Sequence, residues 1–332
     1  MTSSSNRYKV VLSMLIMYVV WGTTYLAIKV GLDADLPPTA FAAMRQIPAA
    51  AIMFGIAAWR GASLRVSARD LRISVIVGIL LIVGGQYFTF LAEQNVPSGI
   101  SALVVALLPL WIALAESVFP DMQRPGRLGW LGLAVGFSGL GILLWPHLVG
   151  VSAGTTELVG IGLQIVGTWL WASGSIYSKR HPVECDNTVM TAYEMLVAGG
   201  VLIVLATLLG EWGSVTFTPK AVGALLYLIV FGSAIAFTAF TYALKHLPAS
   251  KVMTYAYVNP VIAVFAGALA GTLGLVPPEP ITATTLVGMV VIVGGVALAT
   301  GAPTLPPRRA PLDPHAQAIA EEPLVEPEPS EV

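Results

Sequence analysis

"VPSGISALVVALLPLWIALAESVF" (residues 96–119) and "LPASKVMTYAYVNPVIAVFAGALA" (residues 247–270) read as one apolar segment written twice. Pro97 matches Pro248 and Pro109 matches Pro260, both at a spacing of 151 residues. A further match lies upstream: "WGTTYLAIK" (21–29) falls over "WASGSIYSK" (171–179), pairing Trp21 with Trp171 and Lys29 with Lys179 at a spacing of 150. More loosely, Gly132 and Gly139 fall over Gly288 and Gly295. Composition alone can produce one such coincidence; two proline pairs in register point to a duplication. The expected division is a first repeat over 1–150, a second over 151–301 and a tail over 302–332.

The composition says where such repeats live. Hydrophobic residues make up 56% of the 332 and charged residues 11%, against about 25% charged in an ordinary soluble domain. That much apolar surface has no place in water, so the chain reads as an all-α polytopic membrane protein. A bilayer core of ~30 Å requires about 20 apolar residues of a helix. Ten stretches qualify: 10–32, 39–59, 71–94, 98–119, 127–146, 157–178, 188–209, 220–244, 250–273 and 281–301. The first is too long for a signal-peptide core and lacks a small-residue cleavage site, so it reads as a retained helix.

Five helices per copy is an odd number, and that decides the geometry. The second copy starts on the opposite side of the membrane, inverted about an in-plane axis. Inverted repeats are the architecture of alternating-access transporters, with substrate held near the midplane. Duplicated channels and membrane enzymes exist as well. A channel would show a ring or filter of repeated polar groups, and an enzyme a cluster of His, Asp, Glu or Cys; neither pattern occurs at membrane depth.

Basic residues check the count, because cytoplasmic loops are enriched in Lys and Arg. With the N-terminus inside, the inner segments hold Arg7, Lys9, Arg60, Arg65, Arg69, Arg72, Arg124, Arg127, Lys179, Arg180, Lys245, Lys251, Arg308 and Arg309, or 14 of the 17. Both termini are therefore expected in the cytoplasm. The tail, "LPPRRAPLDPHAQAIAEEPLVEPEPSEV", has the Pro- and Glu-rich composition of a disordered segment.

A net charge of −1 makes nucleic acid an unexpected partner. Cys185 is a lone cysteine, which excludes an internal disulfide and a cysteine-built metal site. No metal or other cofactor is expected. No G-x-x-x-x-G-K-[ST] run occurs, so ATP is not the energy source. The expected partners are a small-molecule substrate and the lipid bilayer, the chain acting as a monomer.

Taken together, "YVVWGTTYLAIKVGL", "AAMRQIP", the prolines at 97 and 109, "LPASKV" and "YVNPVIAVFAG" resemble the EamA group of the drug/metabolite transporter superfamily over about residues 8–301. The nearest impression is of bacterial inner-membrane exporters of aromatic and other neutral amino acids. The resemblance implies ten helices in an inverted repeat, a central cavity, and efflux of small metabolites. A broad exporter of drugs and amphiphiles has the same fold and is the alternative. Where the family commonly carries a glutamine at the start of the seventh helix, this chain has Glu194 in "AYEML".

Helical spacing nominates the substrate face. Tyr18, Trp21, Tyr25 and Lys29 share a stripe in the first helix, and Thr168, Trp171, Ser175 and Lys179 share the matching stripe in the sixth. Gln86, Tyr87, Phe90 and Gln94 in the third helix, Val104, Leu108 and Trp111 in the fourth, Phe237, Thr238, Thr241 and Lys245 in the eighth, and Lys251, Tyr255 and Asn259 in the ninth complete an aromatic pocket with a few polar anchors. Aromatic stripes also serve helix packing, and that reading stays open. Pro109 and Pro260 fall near the middles of their helices, where each frees a backbone carbonyl as a hinge, a cavity edge or a packing kink. Intramembrane charge is costly and functional by default. Glu194 is the candidate for coupling to protons, whereas Lys29, Glu93, Glu116 and Lys179 lie near helix ends and can snorkel. Arg45 lies off-centre, about 13 Å in depth from Glu194 at about 1.5 Å per residue, too far for an ion pair. Too few cations are present for a phosphate-bearing substrate; a neutral or zwitterionic amphiphile fits better.

Overall fold

With no water in the bilayer core, a backbone that crosses it satisfies its own polar groups, and a long apolar run does so as a helix. The computed structural model describes residues 4–96, 101, 104–119, 122–149, 155–272 and 283–305. Helix α1 runs through Ser4–Ile16, Met17–Trp21 and Gly22–Leu32. It is followed by α2 (Pro38–Trp59), α3 (Ala68–Val77, Gly78–Gln86 and Tyr87–Glu93), α4 (Leu108–Val118) and α5 (Arg127–Val149). The second half of the chain forms α6 (Thr155–Arg180), α7 (Asn187–Leu208) and α8 (Pro219–Tyr227, Leu228–Ile235 and Ala236–His246). Then come α9 (Ala249–Val252, then Tyr255–Thr272) and α10 (Ala283–Gly301). Among the described residues, α1, α2, α3, α6, α7, α8 and α9 are long and apolar enough to cross a membrane, and the apolar parts of α4 and α10 are shorter. The chain is an all-α polytopic membrane protein.

Several helix starts carry the expected chemistry. Ser67 caps α3 by accepting from the Asp70 amide at 3.0 Å, Asp186 caps α7 through Thr188 N at 2.8 Å, and Thr218 caps α8 through Ala221 N at 3.1 Å. Pro38 and Pro219 occupy first turns, where the missing N–H has no cost.

The helices pack in matching pairs. α1 lies against α8 and α9 as α6 lies against α3 and α4; α2 lies against α8 as α7 lies against α3; α2 meets α7 and α5 meets α10. Exchanging each helix for the one five places away along the chain maps this set of contacts onto itself. The α5–α10 contact depends on glycine, since a Cβ on Gly295 would come within 2.3 Å of the Gly136 amide nitrogen and one on Gly132 within 2.4 Å of Ala299 N. Small residues let these backbones touch, the usual means of association without a hydrophobic drive.

Two ends of the bundle differ. At one end, Lys29 pairs with Asp33 at 2.7 Å on the surface, and Glu211 receives Thr39 Oγ1 and Ala40 N, each at 2.7 Å. At the other, Lys179 donates to the Leu244 carbonyl at 2.8 Å and to the Leu247 carbonyl. There too, Glu116 receives the Ser250 amide at 3.1 Å. Lys179 and Glu116 therefore satisfy helix ends inside the protein rather than snorkel.

Three expectations change. Pro109 sits in the first turn of α4, after a turn at Ala106–Leu107, so it opens a helix instead of kinking one. In α9 the interruption is at Met253–Thr254, ahead of Pro260, which lies inside a continuous helix. The tail begins ordered: β2 (Thr304–Leu305) pairs antiparallel with β1 (Arg124–Pro125), because these backbone groups find strand partners there. Pro97 and residues 306–332 lie outside the described residues.

Candidate functional site

Between α1, α2, α3, α4, α6 and α9 lies a cavity of about 70 Å³. It runs along α1 from Trp21 to Ile28, about 10 Å at the helical rise. At one end it meets an aromatic floor. The rings of Trp21 and Trp171 meet edge to face at 5.5 Å, Tyr255 lies 4.7 Å from Trp21, and Phe240 backs both tryptophans at 5.3 and 5.5 Å. Edge-to-face pairs of this kind add about 0.5–1.5 kcal/mol each beyond the buried area. Beneath the floor, Met17, Ile112, Leu244, Val252 and Met253 are fully or almost fully buried toward the Lys179 end.

The wall facing the floor is polar, and its groups are unequally satisfied. Gln164 donates to Thr89 Oγ1 at 3.2 Å and accepts from Ser101 at 3.1 Å, while Gln86 accepts from Gln46. By contrast, both polar atoms of Asn259 and the Trp171 indole N–H are buried with no well-formed hydrogen bond, although the Tyr25 and Tyr255 hydroxyls lie within reach of them. Buried groups left so are rare and mark a place for water or ligand. Arg45, 1% exposed, lines the same space. Its Nε donates to Ser233 Oγ at 2.8 Å, and its guanidinium carbon lies 5.9 Å from the centre of the Phe90 ring.

Helix irregularities build this wall. Gly78–Gln86 in α3 and Leu228–Ile235 in α8 are π-helical and nearly in repeat register. Wider turns of this type release backbone carbonyls and recur at functional sites. Here the α8 segment presents Gly232 O to Trp21 Nε1 at 3.1 Å and Ser233 to Arg45. Gly85 and Gln86 of the α3 segment line the cavity itself.

Of the residues nominated from sequence, Trp21, Tyr25, Gln86, Leu108, Thr168, Trp171, Tyr255 and Asn259 line the cavity. Several others lie elsewhere. Tyr18 shares a hydroxyl hydrogen bond with Thr254 at 2.9 Å beside the α9 interruption. Tyr87 bonds Thr39 at 2.9 Å and Phe90 packs on Phe41 at 5.2 Å, so both turn toward α2. Phe237 is buried behind Trp171 at 6.0 Å. Thr241 receives Asn187 Nδ2 at 2.8 Å at the start of α7. Trp111 lines a separate apolar crevice of about 450 Å³ between α4 and α6, although its indole N–H reaches Thr168 Oγ1 at 3.3 Å. Glu194 is buried with one carboxyl oxygen unpartnered, off the cavity and against α3, where its backbone carbonyl would lie 2.6 Å from a Cβ on Gly78. Gln86, nominated with Tyr87 and Phe90, does line the cavity, whereas sequence reasoning missed Arg45, Thr89 and Gln164 as wall residues. Gln164 carried a signal, since Gln164, Thr168 and Trp171 are spaced four and three apart on one face.

Two stretches of the chain, residues 8–145 and 158–301, match the EamA-like transporter family. The chain belongs to that family. It is 35% identical over 254 residues, 76% of this chain and 79% of the relative, to the Escherichia coli K12 protein named "Uncharacterized inner membrane transporter YedA". It is 24% identical to the "Uncharacterized transporter YoaV" of Bacillus subtilis, over 88% of this chain and 97% of that one. A protein named "Probable terminal-alkyne amino-acid exporter", from Streptantibioticus cattleyicolor, is 27% identical over 87% of this chain and 93% of its own. A crystal structure at 22% identity superposes with a TM-score of 0.68, covering 88% of this chain and 96% of that one, which is a likeness of fold. The family's named members are transporters, and this EamA chain is a transporter, not an enzyme.

Proposed function

We propose that the protein exports small neutral or zwitterionic metabolites, amino acids with aromatic side chains among them, by alternating access between two inverted five-helix halves. The carrying observation is the pairing, in one cavity, of an aromatic floor with buried polar atoms of Asn259 and Trp171 that make no well-formed hydrogen bond. An amphiphile with a ring or aliphatic chain and a polar head satisfies both. The self-mapping helix contacts and the two consecutive family matches support the inverted halves, and so do the ten apolar stretches read from the sequence. The amino-acid exporter among the relatives supports the substrate class. A home in a bacterial inner membrane with both termini in the cytoplasm follows from the YedA relative and from the placement of basic residues.

At about 70 Å³ the cavity is below the ~300–1,000 Å³ of sites that hold drug-sized ligands. As it stands it is too small to hold such a substrate, and the aromatic floor closes it toward the Lys179 end. Transport then requires the floor to part. Purified protein in liposomes, given labelled phenylalanine, leucine and cationic dyes with and without a proton gradient, tests the reading. Amino-acid flux supports it; dye flux without amino-acid flux replaces it with a drug exporter.

A further inference from the structure

A buried cation without a counter-ion is the least expected feature of this cavity. Arg45 is the charged residue that lines it among the described residues, and no carboxylate lines it with Arg45. A guanidinium has five N–H donors. Nε–H is used by Ser233, and the other four have no partner among the described residues, in hydrogen bond or ion pair. The Phe90 ring lies 5.9 Å from the guanidinium carbon and supplies only a weak cation–π contact. An uncompensated buried charge is strongly destabilising, so the fold keeps this one for something that enters the cavity.

We propose that Arg45 binds the substrate's carboxylate, so that the protein recognises monocarboxylates and does not read an ammonium group. A guanidinium presents a planar fork that matches a carboxylate with two parallel N–H···O bonds. Among the described residues no acidic side chain lines it to receive an ammonium, Glu93 being buried one turn beyond Thr89 and behind the wall; Asn259 and the rings of Trp21, Trp171 and Tyr255 offer dipoles and π-faces only. An amine without a carboxylate brings a second positive charge into a cavity that already holds one. A carboxylic acid without an amine neutralises it. This rests on the transport reading above and redraws its substrate class, from amino acids to monocarboxylates that carry an apolar group, with or without an amine.

Calorimetric titration of the purified full-length protein in detergent tests it with phenylalanine, 3-phenylpropionate, phenylalaninamide, phenethylamine and ethidium. Phenylalanine and 3-phenylpropionate are expected to bind within about tenfold of each other. Phenylalaninamide and phenethylamine are expected to bind at least tenfold more weakly, the lower bound for losing a charge-assisted bond. Arg45→Gln should lower carboxylate affinity about 10- to 150-fold, and Arg45→Lys, which keeps the charge but not the fork, by less. If Arg45→Gln does not fold, the ligand series on the unsubstituted protein decides alone. Equal binding of phenylalanine and its amide overturns the Arg45 assignment while leaving amino-acid transport standing. Binding of phenylalanine without 3-phenylpropionate overturns the claim that the ammonium is not read. Binding of ethidium alone, or of none of the five, overturns both this proposal and the transport reading beneath it.

Discussion

Lys29 and Lys179 stand at matching positions 150 residues apart, yet they do opposite things. Lys29 has a side chain 37% exposed and pairs on the surface with Asp33 in the next turn. Lys179 reaches into the protein and ties the end of α6 to the Leu244 and Leu247 carbonyls at the end of α8. Trp21 and Trp171 differ in the same way: the first donates to Gly232 O at 3.1 Å, the second makes no well-formed hydrogen bond. Asn259 has Leu108 at its matching position, and both line the cavity, one polar and one apolar. Matching helices form the scaffold, and the chemistry sits where the match breaks. At the Lys179 end the lysine ties α6 to α8 beneath the floor. At the Lys29 end the lysine stays on its own helix, and Glu211 reaches across to the start of α2. An inverted repeat would exchange the roles of the two lysines in the opposite-facing state.

The largest expected effect belongs to a reporter at the fastened end. Cys185, in the connection between α6 and α7, has its thiol pushed up to about 11 by burial and then by Asp70, whose carboxylate also receives its backbone amide at 3.3 Å. The reactive thiolate is therefore scarce at pH 8. Maleimide labelling in detergent should be on the order of 100-fold slower than that of a free cysteine thiol near 8.5, and should rise with pH to about 11. Asp70→Asn removes the charged contribution and should speed labelling at pH 8. A rate that does not change between pH 8 and 10.5 would refute this environment.

Unfastening the same end comes next. Lys179→Met removes two charge-assisted bonds. The loss of one of them, worth about 1.5–3 kcal/mol, is already enough to shift the closed–open balance about 10- to 150-fold. Met253, fully buried beneath the floor at the α9 interruption, is the place to read it. In a Cys185→Ser background, Met253→Cys should label faster by at least about tenfold once Lys179→Met is added. An unchanged rate would mean that Lys179 does not hold the end shut.

How much of this was legible beforehand depends on the link considered. Apolar runs and the matched prolines were sufficient for the helices, because a bilayer forces any such run to satisfy its own backbone. Trp21, Tyr25, Trp171, Tyr255 and Asn259 were also legible, as they share the faces of α1, α6 and α9 that meet. Tyr87 and Phe90 were misplaced because neighbouring residues differ by about 100° around a helix; Gln86 and Thr89 point inward, so Tyr87 and Phe90 point at α2. Arg45 was visible as a costly charge, but its depth along α2 did not reveal that α8 widens at Gly232 and Ser233 to seat it. Nothing in the spacing of Leu228–Ile235 announces a π-helix.

Asn259→Leu separates the polar wall from the scaffold. Neither amide atom makes a well-formed hydrogen bond, so the substitution should leave thermal stability unchanged or raise it by about 1–3 kcal/mol, the cost of an unsatisfied buried group. Transport should fall at the same time. A loss of stability would place Asn259 among the groups that hold the helices. Tyr255→Leu acts on the floor, where the ring lies 4.7 Å from Trp21. It should raise the apparent KM for tryptophan or phenylalanine by up to about tenfold and for leucine or threonine by less, since only the aromatic substrates lose about 0.5–1.5 kcal/mol of ring contact. Equal effects on both groups would remove the floor from substrate contact.

The smallest effect is expected from Lys29→Met, the same substitution as Lys179→Met at the matching position. The Lys29–Asp33 pair joins two residues one turn apart on a single helix end, with side chains 37% and 55% exposed. Such pairs contribute about 0–1 kcal/mol, weakened further by salt, and this one bridges no two helices. It therefore holds no gate in the state described. Labelling of Met253→Cys should change by less than about fivefold, the ratio that 1 kcal/mol corresponds to. Thermal stability should stay within about 0.5 kcal/mol of the parent. If Lys29→Met moved either quantity as far as Lys179→Met does, the two ends would be equally fastened, and the inequality between the two lysines would not reflect the direction in which the protein is closed.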